Sequence, residues 1–180
     1  MADDRDRFEQ IYRENFRAVL RFAAARIDPE RAKDVAAETF LVAWRRLDDV
    51  PAVPRPWLLG VARRVIAGQF RADARREALR IRLQTEYRGA IPADVSPAVV
   101  ERDQVLSAFA ALGERDREVL RLVTWDGLTS VEAAAVLGVT RLAFAVRLHR
   151  ARSRLRRELD RDAPPAPMDQ RTRRPVDARN

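Results

Sequence analysis

The chain has 180 residues, enough for one large domain or two small ones, and 47% of them are hydrophobic, enough to build real cores. It has no cysteine and one histidine, His149, which excludes disulfides, a thiol nucleophile and thiolate or histidine-cluster metal sites; no cofactor, metal or catalytic residue is expected. Lys and Arg total 35 against 27 Asp and Glu, a net charge of +8, and all but Lys33 of these cations are arginines, which suits a polyanionic partner.

Strand signals are nearly absent, and three helical patterns fill the first half. In the first, Phe8, Ile11, Tyr12, Phe16, Val19, Leu20 and Ala23 keep to one broad face up to the break at Asp28-Pro29. The second runs from about Arg31 to Leu47, with Val35, Thr39, Phe40, Ala43, Trp44 and Leu47 as its buried side. Three prolines between Asp48 and Pro56 then predict a stiff loop. A third helix begins near Pro56 and continues past Arg76, carrying Trp57, Leu58, Val61, Val65 and Phe70 inward.

The pattern dissolves from Leu83 to Ala98, where Gly89, Pro92 and Pro97 predict a linker. Helical periodicity returns with Val100, Val105, Leu106, Phe109 and Leu112, then Val119, Leu120, Leu122 and Val123. The stretch from Leu128 to Leu159 carries the strongest signal, a helix, a glycine turn and a second helix crowded with arginine. Thr129 or Ser130 can cap the first of these, with Glu132 placed as a capping-box acid, and Gly138 can end it in a left-handed turn. Thr140 can cap the second, on which Phe144, Leu148, Ala151, Leu155 and Leu159 form an apolar stripe while Arg147, Arg150, Arg154 and Arg157 follow the same rhythm on another face. That combination is a helix-turn-helix able to grip phosphates and base edges. The proline-rich, aperiodic end from Arg161 to Asn180 is expected to be a disordered tail.

The expected fold is therefore all-α: a helical domain over 1–82, a flexible linker over 83–98, a helix-turn-helix domain over 99–160 and a tail over 161–180. Each domain has its own basic helix, which suggests two separated grips on nucleic acid, while Asp34 and Glu38 lie one turn apart on the second helix and give it an acidic patch suited to a protein partner. No apolar run approaches membrane-spanning length, and the acidic start MADDRDRFEQ is unlike a signal peptide, so a cytoplasmic location is expected.

These residues resemble the extracytoplasmic-function sigma factors, two-domain initiation subunits of bacterial RNA polymerase. DVAAETFLVAWRRL at 34–47 resembles the family's polymerase-clamp helix, PRPWLLGVARRVIAGQFRADARR at 54–76 the element that melts and reads the minus-10 promoter element, and LGERDREVLRLVTWDGLTSVEAAAVLGVTRLAFAVRLHRARSRL at 112–155 the region that reads the minus-35 element while resting on the polymerase flap. The resemblance implies that Asp34, Glu38 and Thr39 face the clamp, with Phe40 and Trp44 mainly core. It implies minus-10 contacts from Arg55, Arg63, Arg64, Arg71 and Arg75, and minus-35 contacts from Arg141, Arg147, His149, Arg150 and Arg154. Core polymerase and promoter DNA are the implied partners, and the family adds the expectation of an anti-sigma factor. Departures stand at Ala37, where glutamine is usual, at Arg64 and Gly68, where asparagine and aspartate are common, and at 142–146, where LAFAV replaces the frequent GTVKS. Ala145 and Val146 lack polar atoms, so reading there must use apolar contact or shift to Arg147 and Arg150. A self-contained helix-turn-helix regulator binding operators without polymerase explains the C-terminal half but leaves the acidic helix and the first basic helix unaccounted for. A nuclease ranks last, because no convergent carboxylate cluster is present.

Overall fold

The computed structural model describes residues 2–83 and 100–162, and the described residues are helical with no strand. The predicted linker and tail lie almost entirely outside these residues. Helix α1 spans Ala2–Ala24, α2 Pro29–Arg45 and α3 Pro54–Leu83; α4 spans Val100–Ala111, α5 Glu114–Thr124, α6 Ser130–Leu137 and α7 Arg141–Asp162.

The first three helices pack on one another because each presents a mainly apolar stripe, the buried Asn15 and Thr39 satisfying themselves on carbonyls of their own helices. Val19, Phe22 and Ala23 of α1, Val35, Ala36 and Ala43 of α2, and Leu58, Leu59 and Ala62 of α3 are buried almost completely. Full burial of each larger side chain is worth about 1.5–3 kcal/mol. Asp28 starts α2 by accepting the Arg31 N–H at 3.0 Å, and Pro29 occupies the first turn, where no donor is missed. The segment expected to be a proline-stiffened loop is shorter than predicted: Leu47–Asp49 is a 3-10 turn, and α3 already begins at Pro54. Pro54 and Pro56 fall in the first helical turn, which needs no N–H, and Pro51 stays in the short connection before it.

Two side chains expected in the core are not there. Trp44 is 47% exposed, edge-on to Phe8 with ring centroids 5.1 Å apart, because it sits at the rim of α2 where α1 covers only one side of it. Phe70 is 52% exposed because α3, at 30 residues, outruns both α1 and α2, and its second half leaves the bundle. The overhang is tied to α2 by Arg31, which reaches Asp73 at 2.7 Å.

In the second domain, α5, α6 and α7 enclose Leu120, Leu122, Ala133, Phe144, Leu148 and Ala151. The turn chemistry is as the sequence predicts. Thr129 Oγ1 accepts the Glu132 N–H at 3.3 Å and donates to Glu132 Oε2 at 2.8 Å, while the Thr129 N–H donates to that same oxygen at 2.8 Å. Gly138 is left-handed at φ 65°, and Thr140 Oγ1 accepts the Ala143 N–H at 3.1 Å. The Thr129 donors hold the Glu132 carboxyl below its ordinary value, opposed by partial burial and helped weakly by Arg55. Because the folded pKa lies below the unfolded one, the box stabilises the fold fully above the ordinary carboxylate pKa of about 4.3 and is lost as pH falls through the folded value. Thr129→Ala is expected to cost about 1 kcal/mol at neutral pH and to flatten the acid limb of the stability curve. A denaturant titration at pH 7 and pH 3.5 checks both.

The two domains are not merely tethered. The buried side chains of both form one continuous apolar cluster, and α3 crosses α6 closely at Gly60, where a Cβ would stand 3.8 Å from the Val136 backbone. Beside this crossing lies an ion cluster. Arg26 packs its guanidinium 3.5 Å over the Phe22 ring and donates to the Phe22 carbonyl at 2.9 Å. From there it reaches into the second domain, to Glu118 at 3.0 Å and Asp126 at 2.8 Å. Its side chain is 6% exposed and that of Asp126 4%, so these charges are held by each other rather than by water.

Candidate nucleic-acid interface

The residues expected at the minus-10 element divide into two sets. Arg64, Arg71 and Arg75 recur at seven and four residues, lie on one stripe of α3 and are exposed. Arg55 and Arg63 are half-buried and turned toward the second domain: Arg55 Nη2 donates to the Asp126 carbonyl, and Arg63 Nε stands 3.8 Å from Glu118.

The residues expected at the minus-35 element divide in the same way. All five are exposed, but Arg147, Arg150 and Arg154 lie on the flank of α7 that lines a cleft between the domains, and Arg154 pairs with Asp116. This cleft, of about 990 Å³, is walled on its other sides by Arg63, Ile66 and Phe70 of α3 and by Glu118 and Val119 of α5. Arg141 and His149 lie outside that wall. The face of α7 opposite the Phe144, Leu148 and Ala151 stripe begins with Leu142 and Val146, both exposed.

The acidic patch on α2 is present as predicted. Asp34 and Glu38 are exposed one turn apart, and neither forms an ion pair among the described residues. Leu41 continues the same face at 47% exposure, so an apolar residue adjoins the two acids. Thr39 does not share this face: it is fully buried, and its hydroxyl donates to the Val35 carbonyl at 2.7 Å. In this structure Thr39 packs α2 against its neighbours, as its place on the apolar side of the helix predicts, and presents no side-chain surface beside Asp34 and Glu38.

Sequence reasoning missed Arg26, Glu118 and Asp126. No periodicity marks them, and they meet only because α3 and α6 pack. A single arginine in the otherwise apolar stretch between the end of α1 and Asp28-Pro29 was the one signal available.

The arrangement defines an all-helical, two-domain DNA-binding protein with a C-terminal helix-turn-helix and a second basic helix in its N-terminal domain. Residues 11–76 match the model of Sigma-70 region 2, and residues 102–155 that of Sigma-70 region 4. The RNA polymerase sigma factor CnrH of Cupriavidus metallidurans is 33% identical over 141 residues, covering 72% of this chain and 74% of the relative. The probable RNA polymerase sigma factor RfaY of Xanthomonas campestris pv. campestris is 33% identical over 145 residues, 73% of this chain, which spans only 35% of that longer relative. Among solved structures, CnrH in complex with the cytosolic domain of CnrY superposes with a TM-score of 0.58 at 28% identity, over 87% of this chain and 89% of that one. The chain belongs to the sigma-70 family, within the extracytoplasmic-function sigma factors that direct RNA polymerase to promoters. Members of this family are DNA-binding regulators rather than classical enzymes. No helix among the described residues is long and apolar enough to cross a membrane.

Proposed function

We propose that this chain joins core RNA polymerase in the cytoplasm through the Asp34, Glu38 and Leu41 face of α2, and places two basic helices on promoter DNA without chemistry of its own. Arg64, Arg71 and Arg75 would track the separated strand at the minus-10 element, and α7 would read the minus-35 element. The observation that carries this reading is the segregation of charge: an acidic, partly apolar face on α2, which DNA repels, beside an arginine stripe on α3, which DNA attracts. A self-contained operator-binding regulator has no use for that acidic face.

Arg147, Arg150 and Arg154 would reach phosphates only after the domains part. A recognition helix needs duplex on both flanks to enter a major groove about 12 Å wide, and α3 occupies one of them here. The CnrH structure is of a complex with CnrY, and an anti-sigma partner that holds the domains together is proposed for this chain on that likeness.

Reversing both charges, Asp34→Arg with Glu38→Arg, is expected to weaken binding to core polymerase at least about tenfold, since like charges then face the partner surface. Thermal stability should stay unchanged because both residues are exposed. Co-elution with core polymerase at high salt measures the first and a melting curve the second. Undiminished co-elution of the double variant removes the α2 assignment.

A further inference from the structure

The outward face of α7 over its first two turns has no hydrogen-bonding side chain. Leu142 is 75% exposed and Val146 42%, four residues apart and therefore one above the other on the helix, with exposed Ala145 beside them. The core stripe of Phe144, Leu148 and Ala151 points the other way, so packing within the domain does not use Leu142 or Val146. A leucine three-quarters exposed at the head of the chain's most arginine-rich helix gains nothing in the isolated protein.

The surroundings indicate what covers it. Exposed Arg141 flanks the strip on one side and exposed Arg147 and Arg150 on the other, with His149 on the next turn, so an apolar strip is bordered by cations. An apolar protein surface would have to desolvate those guanidiniums, whereas the phosphate rails bordering a DNA groove would pair with them. In the major groove the apolar group that a base presents is the C5-methyl of thymine. Leu142, Ala145 and Val146 can neither donate nor accept a hydrogen bond, so methyl contact is the direct readout open to them.

We propose that Leu142 and Val146 select thymine in the upstream promoter element by burying its 5-methyl group, with Arg141 and Arg147 holding the phosphates on either side. This rests on the sigma-factor reading above and adds what that reading leaves open, the chemical basis of base choice at these positions.

The test uses holoenzyme assembled from core polymerase and the full chain. It selects from a duplex library randomised over the upstream element, made once with thymine and once with uracil, which lacks only the 5-methyl. Thymine should be enriched at one or two positions in the first library and uracil at none of them in the second. In competition on a single selected site, each thymine replaced by uracil at such a position should weaken binding about fourfold, the value of one buried methyl. Leu142→Ala should be indifferent to the exchange. Its melting curve should match the unsubstituted protein's, because Leu142 is largely exposed. Equal enrichment of uracil and thymine, or a Leu142→Ala variant that still discriminates between them, overturns the proposal. So does holoenzyme that initiates from promoters without selecting any upstream sequence. Failure to assemble with core polymerase at all would instead remove the functional reading underneath.

Discussion

Arg26→Ala is expected to pull the two domains apart. The substitution leaves Asp126, 4% exposed, as a buried carboxylate without its cation and Glu118, 14% exposed, with only Arg63 at 3.8 Å, and removing one partner of such a buried pair costs about 3–5 kcal/mol. Separation relieves that cost by letting water reach both acids, at the expense of the α3 to α6 crossing at Gly60 and Val136, the Arg55 bond to the Asp126 carbonyl and the Arg63 contact with Glu118. Small-angle scattering should show a larger radius of gyration, with the helical content unchanged. The opened variant should also bind duplex DNA more tightly at low salt, since Arg147 and Arg150 leave the cleft, and the gain should vanish as salt is raised. Replacing all three charged residues with apolar ones, Arg26→Met with Glu118→Leu and Asp126→Leu, should recover most of the compact form, because an intact buried ion cluster is close to neutral against hydrophobic isosteres. An Arg26→Ala protein that stays as compact as the original would show that apolar packing alone holds the domains.

Phe144→Ala is expected to unfold the helix-turn-helix while sparing the first domain. Phe144 is fully buried and lies on α7 between the turn at Gly138 and the stripe of Leu148 and Ala151. Deleting a buried phenylalanine ring costs about 3–5 kcal/mol, a large share of what a domain this small can hold in reserve. The N-terminal bundle has its own core in Phe22, Val35, Leu58 and Leu59, and so should still bind core polymerase through α2. Promoter-directed transcription should fall to background, while co-elution with core polymerase persists and the thermal transition of the second domain drops or disappears. Wild-type transcription from this variant would mean that the α7 packing described above is not what positions the recognition helix.

Much of the fold was legible because it is local. Thr129, Glu132, Gly138 and Thr140 act within four residues of themselves, so capping and turn chemistry could be read directly, and the periodic stripes of Val35, Phe40 and Ala43 or of Phe144, Leu148 and Ala151 identify the buried faces of their helices without reference to a partner. The misplacements have a common cause. Trp44 and Phe70 obey helical periodicity yet stand half in solvent, because periodicity gives the face of a helix and not the length of the neighbour that covers it. Thr39, by contrast, lies on the buried side of α2 as its periodicity indicates, because a polar side chain that satisfies itself on the Val35 carbonyl can be buried as readily as an apolar one.

The candidate site divides along the same line. That α3 and α7 are basic, that α2 is acidic at Asp34 and Glu38, and that Ala145 and Val146 carry no polar atoms are properties of composition and spacing, and the sequence determined them alone. Which arginines look outward and which face the cleft was decided only in three dimensions. Arg55, Arg63 and Arg154 are indistinguishable in sequence from Arg64, Arg71 and Arg75, but the packing of α3 on α6 brings Arg55 and Arg63 against the Asp126 carbonyl and Glu118, and the packing of α7 on α5 brings Arg154 against Asp116. Arg26 reaches Glu118 and Asp126 across 92 and 100 residues of chain. Such a pairing leaves no trace in local pattern, because the energy that selects it comes from excluding water at a surface that exists only after both domains have folded.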